Sequence, residues 1–217
     1  MISFLYWRRR RNLSVSEYSI SVPAPHEGLI VMLSDYRQFD SQPSYKNPDE
    51  IVKRIENNTL DIELVFSGCN WGQSAFAANF HALALKELWV ITTEDKSSAQ
   101  FERAKKLFEF IAGESIKCDE VRIKDSNNIG EVARKISQIF RQLSDLKSEQ
   151  IISDITGGTA AMSGGMILAT LDEGRKIEYV RQGVKLQNFT AKEIREQNLI
   201  ISPHTSPRMA QIFGGGK

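Results

Sequence analysis

The chain has 217 residues, 41% hydrophobic and 25% charged, enough for one good core or for a domain with an appendage. A formal net charge of +1 argues against a duplex nucleic acid held by counterion release, while a small anionic ligand in a local pocket stays open. Cys69 and Cys118 are far apart and lack clustered Cys/His spacing, so no metal, cofactor or disulfide scaffold is expected, and the compartment reads as reducing.

The opening MISFLYWRRRRN stands apart from a globular pattern. It is too short to cross a bilayer, which takes about 20 residues, and its charge follows the apolar run rather than preceding it as in a secretory signal. Tyr6 and Trp7 ahead of Arg8 to Arg11 have the order in which a membrane helix reaches the cytoplasm. A solvated basic tail is the competing reading. The expected division is therefore a membrane-proximal segment over 1–12, a linker over 13–27 and a single domain over 28–217.

From Gly28 the chain alternates strands and helices. GLIVMLS is a continuous apolar run of buried-strand type, and a helix starts at Asn47 as cap, with Pro48 in the first turn and Asp49 and Glu50 favouring the helix dipole. DIELVFSG reads as a second strand before the helix SAFAANFHALAL. ELWVITT leads into a helix in which Phe101, Ala104, Leu107, Phe108 and Ile111 keep helical spacing and Gly113 ends the run. DEVRIK with NIGEVARKISQIFRQL repeats the unit, QIISDI with its helix repeats it again, and KIEYVRQ closes it. Such alternation predicts an α/β fold, Rossmann-like, with a mostly parallel sheet and helices on both faces.

Ligands of such sheets bind at the carboxyl ends of the strands, near the reversal of strand order. The loops expected there carry Ser34 and Asp35; Ser67, Asn70, Trp71 and Gln73; Thr92 and Thr93; Asp125 and Ser126; and Thr156 to Thr159. Their hydroxyls, amides and helix N-termini suit phosphate, ribose and adenine edges. Trp71 could stack on a base, although packing is the commoner role of such a tryptophan. Arg181 and Lys185 are candidate counter-charges, with surface solvation as the alternative. A Walker loop needs a lysine that GGTAAMSGG lacks, and no G-x-G-x-x-G follows the first strand. The plain alternative is that Gly157 and Gly158 only make a tight turn while Gly164 and Gly165 let the helix approach the sheet.

The stretch ISDITGGTAAMSGGM resembles the D-[ILV]-T-G-G-T-K-x-M-S signature of CRISPR-associated Rossmann-fold sensors, the CARF domains. The two preceding strand-helix units resemble that family's units, and the resemblance covers roughly Gly28 to Gln187. It implies a domain that binds cyclic oligoadenylate, the second messenger of type III CRISPR antiviral defence, across the axis of a homodimer or higher homo-oligomer. Cyclic tetra-adenylate is the expected ring, because its even symmetry matches a two-fold axis. Carried over by position, Thr156, Gly157, Gly158, Thr159 and Met162 fall on the family's ligand loop. The first-strand loop falls either on Ser34 and Asp35 or on the segment from Ser67 to Gln73. Ala160 stands where many relatives have lysine, which removes a phosphate contact and weakens a case for ring cleavage.

No effector enzyme is legible in the rest of the chain. His26, His81 and His204 do not follow an arginine at ribonuclease spacing, and His81 sits in an apolar helix as a core or interface residue would. No catalytic residue is assigned. Joined to the amino-terminal segment, the resemblance implies a cytoplasmic sensor anchored at the inner membrane and coupled to a membrane effector. A ring nuclease of the same fold and an unrelated Rossmann-like nucleotide-binding protein are the alternatives.

Overall fold

The computed structural model describes residues 18–21, 24–39, 44–171, 175–180 and 198–203. Five strands run parallel: β2 (Gly28–Met32), β3 (Glu87–Thr93), β4 (Lys117–Ile123), β5 (Ile151–Asp154) and β6 (Lys176–Val180). Two more, β1 (Tyr18–Ser21) and β7 (Asn198–Pro203), pair antiparallel with each other, and β7 pairs antiparallel with β6. The sheet order is β1-β7-β6-β5-β2-β3-β4. The fold is Rossmann-like α/β, with a mostly parallel sheet as the alternation predicts. Tyr18–Ser21, within the segment expected as a linker, contributes an outer strand.

Helices cover both faces. On one side lie α1 (Pro48–Glu56), α2 (Ile62–Gly68), α3 (Gly72–His81) and α4 (Phe101–Ala112). Their Ile51, Val65, Ala77 and Leu107 pack with Leu29, Val31, Leu88 and Val90 of the sheet. On the other lie α5 (Ile129–Gln138), which runs into a π turn over Ile139–Leu143, and α6 (Ala160–Ala169). There Val132, Ile136, Met162 and Met166 pack with Ile30, Met32, Trp89 and Ile91. Strands buried on both faces carry no alternation, which is why β2 and β5 are buried along their whole length.

The start and stop signals act as read at two helices. Asn47 accepts from the Glu50 N–H at 2.9 Å ahead of Pro48, and Gly113 ends α4 at a φ of 100°. One element differs. DIELVFSG is not a second strand but α2, with Asp61 capping the Glu63 N–H and only Val65 and Gly68 of the helix fully buried. A short apolar run does not distinguish strand from buried helix by periodicity, and the capping acid decides it here.

The expected anchoring at an inner membrane is corrected. Among the described residues no helix is long and apolar enough to cross a membrane, and the segment 1–12 lies outside them, as do Arg181 and Lys185.

Two adjacent glycines in α6 show how closely the helices pack. A Cβ on Gly165 would lie 2.6 Å from Val132 Cβ and 2.8 Å from the Ile129 carbonyl of α5, whereas one on Gly164 would meet nothing within 4 Å. Gly165→Ala is therefore expected to destabilise the protein by about 1–3 kcal/mol through overpacking. Gly164→Ala should be neutral or stabilising by about 0.5–1 kcal/mol, because it removes helix entropy without a clash. Urea midpoints of the two variants check the opposite signs.

Candidate functional site

Strand order reverses at β2: the chain passes to β3 and β4 on one side, then returns to β5 and β6 on the other. The loops leaving the carboxyl ends of β2 and β5 therefore face each other across the switch point, the place where parallel sheets take ligands. The Ser34 hydroxyl donates to the Gly157 carbonyl at 2.7 Å and joins the two loops. Of the two sequence alternatives for the first-strand loop, it is Ser34 that meets the glycine loop directly.

The segment from Ser67 to Gln73 is nevertheless beside it. It runs from the end of α2 into the start of α3 rather than following a strand, and it bonds to the Ser34 loop. Trp71 is 1% exposed, its indole N–H donates to the Ser34 carbonyl at 2.9 Å, and its ring meets Tyr36 edge to face at 5.2 Å. It does not present a face for a base, which corrects the stacking role. Asn70 donates to the Asp35 carbonyl at 2.6 Å and accepts from the Arg37 N–H at 2.7 Å. Gln100, which the sequence did not single out, donates to the Asp35 carboxylate and accepts from the Tyr36 N–H at 2.9 Å. Ser67 lies within α2 and donates to the Glu63 carbonyl at 2.8 Å, while Gln73 lies half-buried in the first turn of α3.

Thr92 and Thr93 are buried at the end of β3. Thr92 donates to the Glu120 carboxylate at 2.7 Å, and the Thr93 N–H donates to Ser97 Oγ at 2.9 Å. These bonds occupy groups that the sequence offered to a ligand.

The glycine loop is built by close approach. A Cβ on Gly157 would lie 2.8 Å from the Met32 carbonyl and 3.0 Å from Ser74 Oγ. One on Gly158 would lie 2.2 Å from Met32 Sδ and 3.0 Å from Met162 Cβ. The position of Gly157 thus needs glycine because the loop rests on main chain at the end of β2, whereas at Gly158 a side chain would have to displace the Met32 thioether. Ser74 ties the same place from α3 by donating to the Met32 carbonyl at 2.9 Å. Met162 lies buried under the loop. Thr159 is exposed and caps α6, accepting from the Met162 N–H at 3.3 Å while its hydroxyl donates to the Ser126 carbonyl at 3.3 Å. The first-turn amides of a helix have no intrahelical acceptor and favour an anion. Among the described residues no cluster of three or more His, Cys, Asp or Glu is placed to hold a metal.

Beneath the loop lies a set of buried polar side chains. Asp154 and Glu178 are register partners on β5 and β6, and both are fully buried. Asp154 Oδ1 accepts from the Thr156 N–H at 2.9 Å and also from the Thr156 hydroxyl, whose oxygen accepts from the Val180 N–H at 2.8 Å. Glu178 lies 3.1 Å from His81 Nε2. The His26 N–H donates to His81 Nδ1 at 3.0 Å, which puts the His81 ring hydrogen on Nε2, facing Glu178. His81 is thus the satisfied core histidine that its apolar helix suggested.

Burial first, and then the neighbouring Glu178, raise the Asp154 pKa to about 8. Burial, with His81 and Lys176 adding to it, lowers that of His26 to about 4.

No protein-family model and no curated protein matches the chain. Among the solved structures similar to it are two of low identity. Can2 from Sulfobacillus thermosulfidooxidans, in complex with cyclic tetra-adenylate, aligns over 71% of this chain and 32% of its own, with 14% identity and a TM-score of 0.45. A type III CRISPR defence DNA nuclease activated by cyclic oligoadenylate aligns over 75% of this chain and 20% of its own, with 14% identity and a TM-score of 0.42. The chain spans about a third and a fifth of the length of these two proteins, and the ligands and activities are theirs.

The two shifted groups act on stability in opposite directions. Between the ordinary Asp value of 3.8 and about 8, the native state holds a proton that the unfolded chain has released, so Asp154 makes stability fall as pH rises. Between about 4 and 6.5, the unfolded chain holds a proton that native His26 has lost, so His26 makes stability rise with pH. Above 6.5 the His26 effect is complete while that of Asp154 continues to about 8. There the wild type should lose stability with rising pH, by at most about 1.4 kcal/mol per pH unit for one proton, and Asp154→Asn should flatten the curve. Chemical denaturation at fixed pH values across this range measures both.

Proposed function

We propose that this chain is a CARF-like sensor domain that binds cyclic oligoadenylate at the paired loops after β2 and β5. The observation that carries the reading is the Ser34 to Gly157 bond. It places the motif Asp154-Ile155-Thr156-Gly157-Gly158-Thr159 at the switch point, with the α6 N-terminus and the exposed Thr159 beside it. Amides and hydroxyls in such an arrangement suit the phosphodiesters and ribose edges of a nucleotide ring. Cyclic tetra-adenylate is the first candidate, because two copies of one loop can read an evenly divided ring.

A homodimer is part of the same reading. The outer face of α6 carries Ile167 and Leu168, 39% and 52% exposed, beside the open Gly164, and Ile129 at the start of α5 is 43% exposed. Large exposed aliphatic side chains on one helix suit burial against a second copy. Ring binding without turnover is the expected activity. Stabilising the charge that develops at a scissile phosphate calls for a group aimed at it, and the Ala160 side chain offers none.

A thermal-shift panel tests the ligand, with cyclic tri-, tetra- and hexa-adenylate set against ATP, NAD and cyclic dinucleotides. Cyclic tetra-adenylate at a hundred times its Kd should stabilise the fold by about 2.7 kcal/mol, and product analysis should recover the ring intact. Stabilisation by another nucleotide with no response to any ring would sink the reading.

The dimer has its own test. Leu168→Glu is expected to leave the chain folded but monomeric by light scattering, with ring affinity lost or sharply reduced. Calorimetry on the wild type should give one ring per two chains. A ring bound by the monomeric variant with unchanged affinity would count against the shared pocket.

A further inference from the structure

The loop that meets Ser34 is also fastened to the sheet through a buried acid. Asp154 Oδ1 accepts both donors of Thr156, and Thr156 Oγ1 in turn accepts the Val180 N–H of β6 at 2.8 Å. Asp154 Oδ2 is buried with no hydrogen-bond partner among the described residues. A bare carboxylate oxygen in such a place costs far more than a hydroxyl, so the proton belongs on Oδ2 while Oδ1 remains the acceptor. The ionisable groups around it are Glu178 on β6 and His81 on α3, with His26 and Lys176 behind them. Among the described residues no cation touches Asp154 itself. Ionising it would set two carboxylates on register-paired residues, and repulsion between them would bear on the strand pair that Thr156 bridges.

We propose that Asp154 is a positioning residue that works as an uncharged acid: with its proton in place it holds Thr156, and through Thr156 it fixes the glycine loop against β6 in the shape that takes the ligand. Loss of that proton loosens the loop. The consequence for affinity rests on the reading that this loop binds cyclic oligoadenylate; the consequence for loop geometry does not.

The test follows cyclic tetra-adenylate affinity by calorimetry, and the backbone amide resonances of Thr156 and Val180 by NMR, on the full chain across the same pH series. Wild-type affinity should fall about tenfold between pH 7 and pH 9, as one proton is lost near the value of about 8. Asp154→Asn keeps an acceptor at Oδ1 and cannot ionise, so its affinity should be high and flat. Asp154→Ala, without the acceptor, should bind weakly at every pH. Wild-type affinity that does not change with pH, or Asp154→Asn falling in parallel with it, overturns the proposal. If the ring binds at no pH, the messenger reading fails and the resonances decide the positioning role. A shared titration of both amides near pH 8 in the wild type, absent from Asp154→Asn, upholds it, and amides that do not move overturn it.

Discussion

The site depends on how closely the glycine loop lies against the end of β2. Gly157 leaves no room for a Cβ beside the Met32 carbonyl, and Gly158 lies against the Met32 thioether, so the loop takes its shape from the central strand as well as from the Asp154 turn. Ser34, together with Ser74 and Trp71 from the start of α3, then fixes that end of β2, each through a bond to main chain. A ligand at the switch point would meet a surface already organised and lose little in ordering it, which is the condition for affinity from a few polar contacts.

Below this surface the electrostatics run against ordinary core design. Two carboxyls face each other across β5 and β6, with His81 as the donor to one and Thr156 as the donor to the other. An apolar pair of similar size would be the more stable choice, since buried ionisable groups seldom gain what their desolvation costs. Their presence under one loop, in a sheet otherwise largely apolar, marks where stability gives way to loop geometry.

Much of this was legible in the sequence, for identifiable physical reasons. Strands such as GLIVMLS and ELWVITT are buried on both faces, so they read as unbroken apolar runs, and the caps at Asn47 and Gly113 marked helix ends by their chemistry. The motif from Asp154 to Thr159 likewise pointed to the switch point. DIELVFSG failed because a seven-residue apolar helix and a buried strand share one pattern, and only the capping by Asp61 separates them. That error moved Ser67 to Gln73 from a strand loop to the end of a helix, where Trp71 supports Ser34 instead of offering a ring to a base. Gln100 and Ser74 were missed because long-range side-chain to main-chain bonds leave no local pattern. Asp154 did leave one: a lone acid closing an apolar strand two residues before a threonine is the pattern of an Asx turn.

One helix joins the parts of the site. The N-terminus of α6 supplies the cap at Thr159 and the free first-turn amides, its inner side closes on α5 at Gly165, and its outer side leaves Ile167 and Leu168 exposed. The Gly165 contact with Val132 and the Ile129 carbonyl leaves no slack between α5 and α6, so the two helices must shift together. The Thr159 bond to Ser126 extends the same connection to the loop after β4. A group held at the head of α6 therefore bears mechanically on the apolar face about two turns further along. Ligand binding and association of two copies would then be linked through a rigid element, with each favouring the other by the same free energy.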